Sequence, residues 1–173
     1  QLDGYEYRAR TQDDRRGQDD RSRAGNLAKG HIRQTMNCPE CGASETLCQT
    51  RFDEFLVLEF TDAGYGAVHH LTVTAYMIQH SSKLTREGWL HERGLLHEFL
   101  VENKPPAFIR KQNRDLVDSG KRTFKIKSRD GKPVINKSSW TKTILDVRTE
   151  NAEVYCADIN AWAKAVLEDA ETI

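Results

Sequence analysis

The sequence predicts a mainly α-helical domain: about four amphipathic helices, with a cysteine knuckle at the start and a small β-hairpin insertion. Apolar residues recur at spacings of three and four through most of 49–103 and again through 151–170. Three cysteines crowd into residues 38–48, opened by Cys38-Pro39-Glu40-Cys41-Gly42. Between the helical stretches, 104–142 breaks the period with alternation around an Asp-Gly pair.

The first helix covers 49–61, where Phe52, Phe55, Leu56, Leu58 and Phe60 cluster, and it stops before Ala63-Gly64-Tyr65-Gly66. The second runs from Ala67 to His80, with a stripe of Val68, Leu71, Ala75 and Ile78 widened by Val73 and Met77. Thr85 caps the third, whose inner residues are Trp89, Leu90, Leu95, Leu96, Phe99 and Leu100, and Pro105-Pro106 stops it. A fourth helix over 151–170 places Val154, Tyr155, Ile159, Trp162, Val166 and Leu167 at helical spacing. Phe124 and Ile126 alternate with Lys125 and Lys127 ahead of Asp130-Gly131, the hairpin signal.

Composition bounds the organisation. At 173 residues, 38% hydrophobic and 30% charged, the chain suits one domain with a modest core plus segments outside it. Residues 1–35 are polar, with alternating acidic and basic pairs, and read as a flexible or peripheral arm. The folded unit then spans 36–173, with 104–142 as a basic insertion carrying twelve Lys and Arg against three Asp. Net charge is zero, so no global field draws the chain to nucleic acid or membrane. No apolar run is long enough to span a bilayer and no secretory h-region opens the chain. Few, clustered cysteines fit a reducing compartment, which points to the cytoplasm.

A CxxC turn offers two thiolates on one tight bend, and structural zinc takes four such donors in a tetrahedron. Cys38 and Cys41 fit that role, and Cys48 is close enough to fold back as a third. A redox CxxC expects a βαβ context that the sequence lacks. Register supplies the fourth donor. If the first two helices form an antiparallel hairpin about residue 64, Cys48 and His80 are equally distant from the turn and meet at one end. Zn²⁺ held by Cys38, Cys41, Cys48 and His80 is the expected centre, with Cys156 as runner-up for the last position. His69 lies about 16 Å along the same helix from His80, too far for one ion. His69, Thr72, Tyr76 and His80 nevertheless share a face. That face is either a hydrogen-bonded core network or a polar pocket with His69 as proton carrier or second metal ligand, beside Glu59 or Tyr76. His70, His91 and His97 fall on exposed or mixed faces.

These residues resemble an uncharacterised family of small bacterial proteins, a domain of unknown function. The resemblance rests on Cys38–Gly42, Cys48, the block Val68–His80, Leu145-Asp146-Val147 and Trp162-Ala163, and covers roughly 37–168. It implies that His69, Thr72, Tyr76, Gln79 and His80 belong to a shared signature. Ser81 stands where the family pattern has Pro, Gln49 where an aromatic is common, and the basic segment is longer than the pattern.

Two functions follow as expectations. One is a zinc-stabilised helical module that binds a phosphate-bearing or acidic partner through Arg110, Lys111, Arg114, Lys125 and Lys127. The bland alternative for that segment is a solvated loop with lysines on its outer face. The other function is a metal-dependent hydrolase or transferase of a small substrate, using His69, Tyr76 and Glu59. Against it, His-Glu-x-x-His, Gly-x-Ser-x-Gly and phosphate-cradling loops are absent from the sequence.

Overall fold

A computed structural model describes residues 37–43, 45–122, 124–137 and 139–173. The arm expected over 1–35 lies outside the described residues. Among them the chain forms six α-helices and no strand: α1 (Glu45–Thr61), α2 (Ala63–Gly66), α3 (His69–Gln79), α4 (Arg86–Leu100), α5 (Pro106–Asp118) and α6 (Ala152–Glu171). Two 3-10 turns, Ser81–Lys83 and Ile144–Asp146, join them.

Local chemistry sets the boundaries. Asp62 turns the chain out of α1, its Oδ1 accepting from the Gly64 amide at 2.7 Å. The return into α3 passes so close to α1 that a Cβ on Gly66 would stand 2.7 Å from the Glu59 carbonyl oxygen. Only glycine fits that approach. Thr85 caps α4 through its hydroxyl, which accepts from Gly88 at 2.9 Å, and Asn151 caps α6 by accepting from Val154 at 2.9 Å. Pro106 opens α5, where its fixed φ suits a first helical position.

Helix α3 is the central element, packed against α1, α4 and α6. Phe55, Ala75, Ile78, Leu96, Ile144, Ile159, Trp162 and Val166 are fully buried around it. Each of the larger ones contributes roughly 1.5–3 kcal/mol over an exposed position. All three tryptophans satisfy their indole N–H: Trp89 donates to the Ile78 carbonyl, Trp162 to Gln79 Oε1 and Trp140 to the Glu40 carbonyl.

The structure departs from expectation in three places. The helix count is six rather than four, because α2 is a separate turn of helix and α5 occupies part of the expected loop insertion. The hairpin expected around Asp130-Gly131 does not form among the described residues: Lys127 makes a lone antiparallel bridge to Leu84 instead. Pro133 explains the failure, since a returning strand would need the amide it lacks. The α1 stripe is also inverted near its end. Phe60 is 77% exposed while Glu59, next to it, is buried at 6%.

Candidate metal centre and buried carboxylate

The knuckle forms because Gly42 adopts φ +76°, a left-handed conformation suited to glycine, with its amide donating to the Cys38 carbonyl at 2.9 Å. That bend turns Cys38 and Cys41 to the same side. Cys48, in the first turns of α1, and His80, just past the end of α3, reach the same point. Ligand atoms of all four lie within 4.8 Å of one another, and all four residues are buried. Donors of a tetrahedral zinc are about 3.8 Å apart at Zn–S distances near 2.3 Å. The cluster therefore needs little adjustment to close on an ion.

His80 supplies the sharpest test of fit. Its Nδ1 donates to the Tyr76 carbonyl at 2.9 Å, which fixes the tautomer and leaves Nε2 as an acceptor. That Nε2 is buried and has no hydrogen-bond partner among the described residues. An orphaned acceptor of this kind costs about 1–3 kcal/mol unless something binds it. Burial raises the Cys41 and Cys48 thiols above their ordinary range, and neighbouring sulfurs raise them further. Burial also lowers His80, so its ring is kept neutral. Three thiols and a neutral imidazole suit a borderline-soft divalent ion, which fits the residues present.

The surroundings tie this point to distant segments. Glu40, inside the knuckle, accepts from the Ser82 amide and hydroxyl, both at 2.7 Å. Ser81 Oγ accepts from the amides of Val134 and Ile135 at 3.1 and 3.4 Å. Ser81, which departs from the resemblance pattern, thus pins the 134–135 backbone beside the cluster. Gln79 is satisfied on both sides, donating to the Lys142 carbonyl at 2.7 Å and accepting from Trp162 at 3.1 Å. Cys156 lies elsewhere, its Sγ donating to the Gly64 carbonyl at 3.4 Å.

The polar face of α3 divides in two. Tyr76 does not sit beside His69, as one reading of the sequence has it. Its ring stacks between Phe52 and His80, with centroids 3.8 and 4.0 Å away, and its hydroxyl donates to Gln49 Oε1 at 2.9 Å. At the other end, the carboxylate of Glu59 gathers three donors. His69 Nδ1 lies 2.7 Å from Oε2, while Thr72 Oγ1 and the Tyr155 hydroxyl donate to Oε1 at 2.5 and 2.6 Å. Tyr155 was not singled out from sequence beyond its place in the α6 stripe. A phenol buried on that stripe must find an acceptor, and that was its signal. Burial first, and the carboxylate second, raise its pKa.

The candidate basic surface is split between two elements. Arg110, Lys111 and Arg114 are exposed on α5, and Lys125 and Lys127 are exposed on the irregular segment before Asp130. Part of the charge in 104–142 is already used, since Lys104 pairs with Glu98 and Glu102, and Lys137 with Asp169. Among the described residues no helix is long and apolar enough to cross a membrane.

Fold and cluster together define a helical domain organised around a buried Cys3His group. A family of unknown function, DUF5946, matches residues 36–171, and the chain belongs to that family. No curated protein and no solved structure matches the chain.

Proposed function

We propose that the protein is a zinc-stabilised helical interaction module in which Cys38, Cys41, Cys48 and His80 hold one Zn²⁺ in a closed, structural site. The observation that carries this reading is His80 Nε2, buried and without a partner among the described residues, in a residue grouped with three buried thiols. Zinc binding would satisfy that nitrogen, stabilise the buried thiols as thiolates and lock the knuckle to the end of α3. Hydrolysis needs a coordination position open to water, and four protein donors leave none. The reading therefore gives the ion a folding role. The exposed cations on α5 and on 125–127 form the contact surface for an acidic or phosphate-bearing partner.

Metal analysis of the purified chain tests the first half. One zinc per chain with three thiols protected from alkylation is expected, and His80→Ala should release the metal while His69→Ala retains it. A chain without stoichiometric metal, or metal lost with His69→Ala, overturns the assignment. Fluorescence anisotropy against a phosphorylated acidic peptide across salt concentrations tests the second half. Affinity should fall steeply with salt and drop about tenfold in the Arg110→Glu/Arg114→Glu double variant. A flat salt response overturns it.

A further inference from the structure

A cavity of about 840 Å³ lies beside α1 and α3, with no cysteine in its lining. That is within the 300–1,000 Å³ typical of small-molecule sites. Phe52, Leu56 and Phe60 of α1 face Val73 and Met77 of α3 across an apolar floor. Phe60 is 77% exposed, and its ring stands 5.1 Å from that of His69. The His69 side chain is 38% exposed and lines the same cavity, whereas the Glu59 side chain behind it is wholly buried. Glu59 holds Nδ1 at 2.7 Å, which orients the ring and leaves Nε2 for a ligand.

The rim is cationic. Lys83, Lys127 and Arg129 line it, all exposed, and none pairs with a carboxylate among the described residues. Lys83 is steered over Tyr76 and donates to Gln49, so its position is set. The lone acid among the described lining residues is Glu92, whose pKa burial raises to about 7, so it retains much of its proton near neutrality. The far wall is fixed in place. Thr85 donates its amide to the Ile126 carbonyl at 2.8 Å, and its hydroxyl bonds the Lys125 carbonyl. The Ser128 amide donates to the Lys83 carbonyl at 3.1 Å. Ile126 approaches α4 so closely that a Cβ on Gly88 would fall 2.3 Å from its oxygen.

We propose that this cavity binds a small amphiphilic carboxylate, its tail on the Phe52–Phe60–Met77 floor and its anionic head between His69 Nε2 and the Lys127–Arg129 rim. The inference does not depend on zinc, and metal content measured on the same samples separates its failure from that of the metal centre.

Decanoate, below its micelle concentration, is the probe, with the whole zinc-containing chain titrated by calorimetry and by ¹⁵N NMR of the histidine rings. One decanoate per chain should bind, with affinity rising about fourfold per methylene from hexanoate through octanoate. Binding should perturb the ring nitrogen signals of His69, which lines the cavity, and leave those of His80 unchanged. Decanol should bind at least tenfold more weakly. Lys127→Glu/Arg129→Glu, both on the surface, should cut decanoate affinity about tenfold and leave decanol unchanged. The proposal is overturned by an absence of saturable decanoate binding, by decanol binding as tightly, or by a rim variant that binds decanoate as the parent does.

Discussion

At its C-terminal end α3 delivers His80 to three buried thiols; one helix length away, its first turns bring His69 and Thr72 to the carboxylate of Glu59. Both places bury polar atoms in a small core, where an unsatisfied group is expensive. The Glu59 carboxylate is satisfied by the chain itself, since it meets three donors. The His80 end is left open among the described residues, with an unpartnered nitrogen beside thiols whose proton loss burial opposes. The difference separates a network closed by its own side chains from one that an added cation could close.

The largest test strips the metal end. Zinc chelation should cost on the order of 10 kcal/mol of folding free energy, enough to unfold the domain. Thermal denaturation with and without a strong chelator reads it, and an unchanged midpoint would erase the contrast between the two ends. Next comes the self-sufficient end. Glu59→Leu leaves His69, Thr72 and Tyr155 without their shared acceptor and should cost about 3–5 kcal/mol in urea unfolding. Zinc content at low temperature should stay at the parent level, so metal loss here would mean the two ends are one unit.

Smaller still is Gly66→Ala. A methyl group 2.7 Å from the Glu59 carbonyl must push α1 away from the turn, at a cost of about 1–3 kcal/mol. The same urea experiment checks it, and a neutral result would show that the turn relaxes freely.

The smallest effect concerns pH. Folded Glu92 titrates at about 7 instead of the ordinary 4.5, because burial penalises its charge. The folded state then holds the extra proton between those values, so stability falls as pH rises through the window and stays lowered above it. Glu92→Gln should gain about 1–2 kcal/mol at pH 8, allowing for partial exposure, and nothing at pH 4. His70 has the opposite sign. Burial, then the charges of His69 and Arg110, lower it from 6.5 to about 4, so its contribution is present above pH 6.5 and lost toward pH 4. His70→Phe should therefore flatten the acid limb of the stability profile.

What the sequence made legible follows the same division. The meeting of Cys48 with His80 came from counting residues about a turn, because a helical hairpin converts separation in sequence into position along an axis. Thr85 as a cap and the stripes of α3 and α6 were readable from side-chain type and period. Helix α5 was not, because its twelve-cation neighbourhood resembled a solvated loop and its one fully buried side chain is Ile109. Pro106, at its first position, is the start signal the sequence carries. The Phe60–Glu59 inversion was illegible in period alone: an aromatic ring reads as core, and only Thr72 and Tyr155, from α3 and α6, reveal why a carboxylate goes inside instead. The failed hairpin had its sign in Pro133, outweighed by Asp130-Gly131.

The most direct test of the central claim is X-ray absorption at the zinc edge of the purified chain. Three sulfurs near 2.3 Å and one nitrogen near 2.0 Å are predicted, with the nitrogen lost from the shell in His80→Ala. A shell containing a water oxygen, fewer than three sulfurs, or no change in His80→Ala would contradict the closed Cys38, Cys41, Cys48 and His80 site.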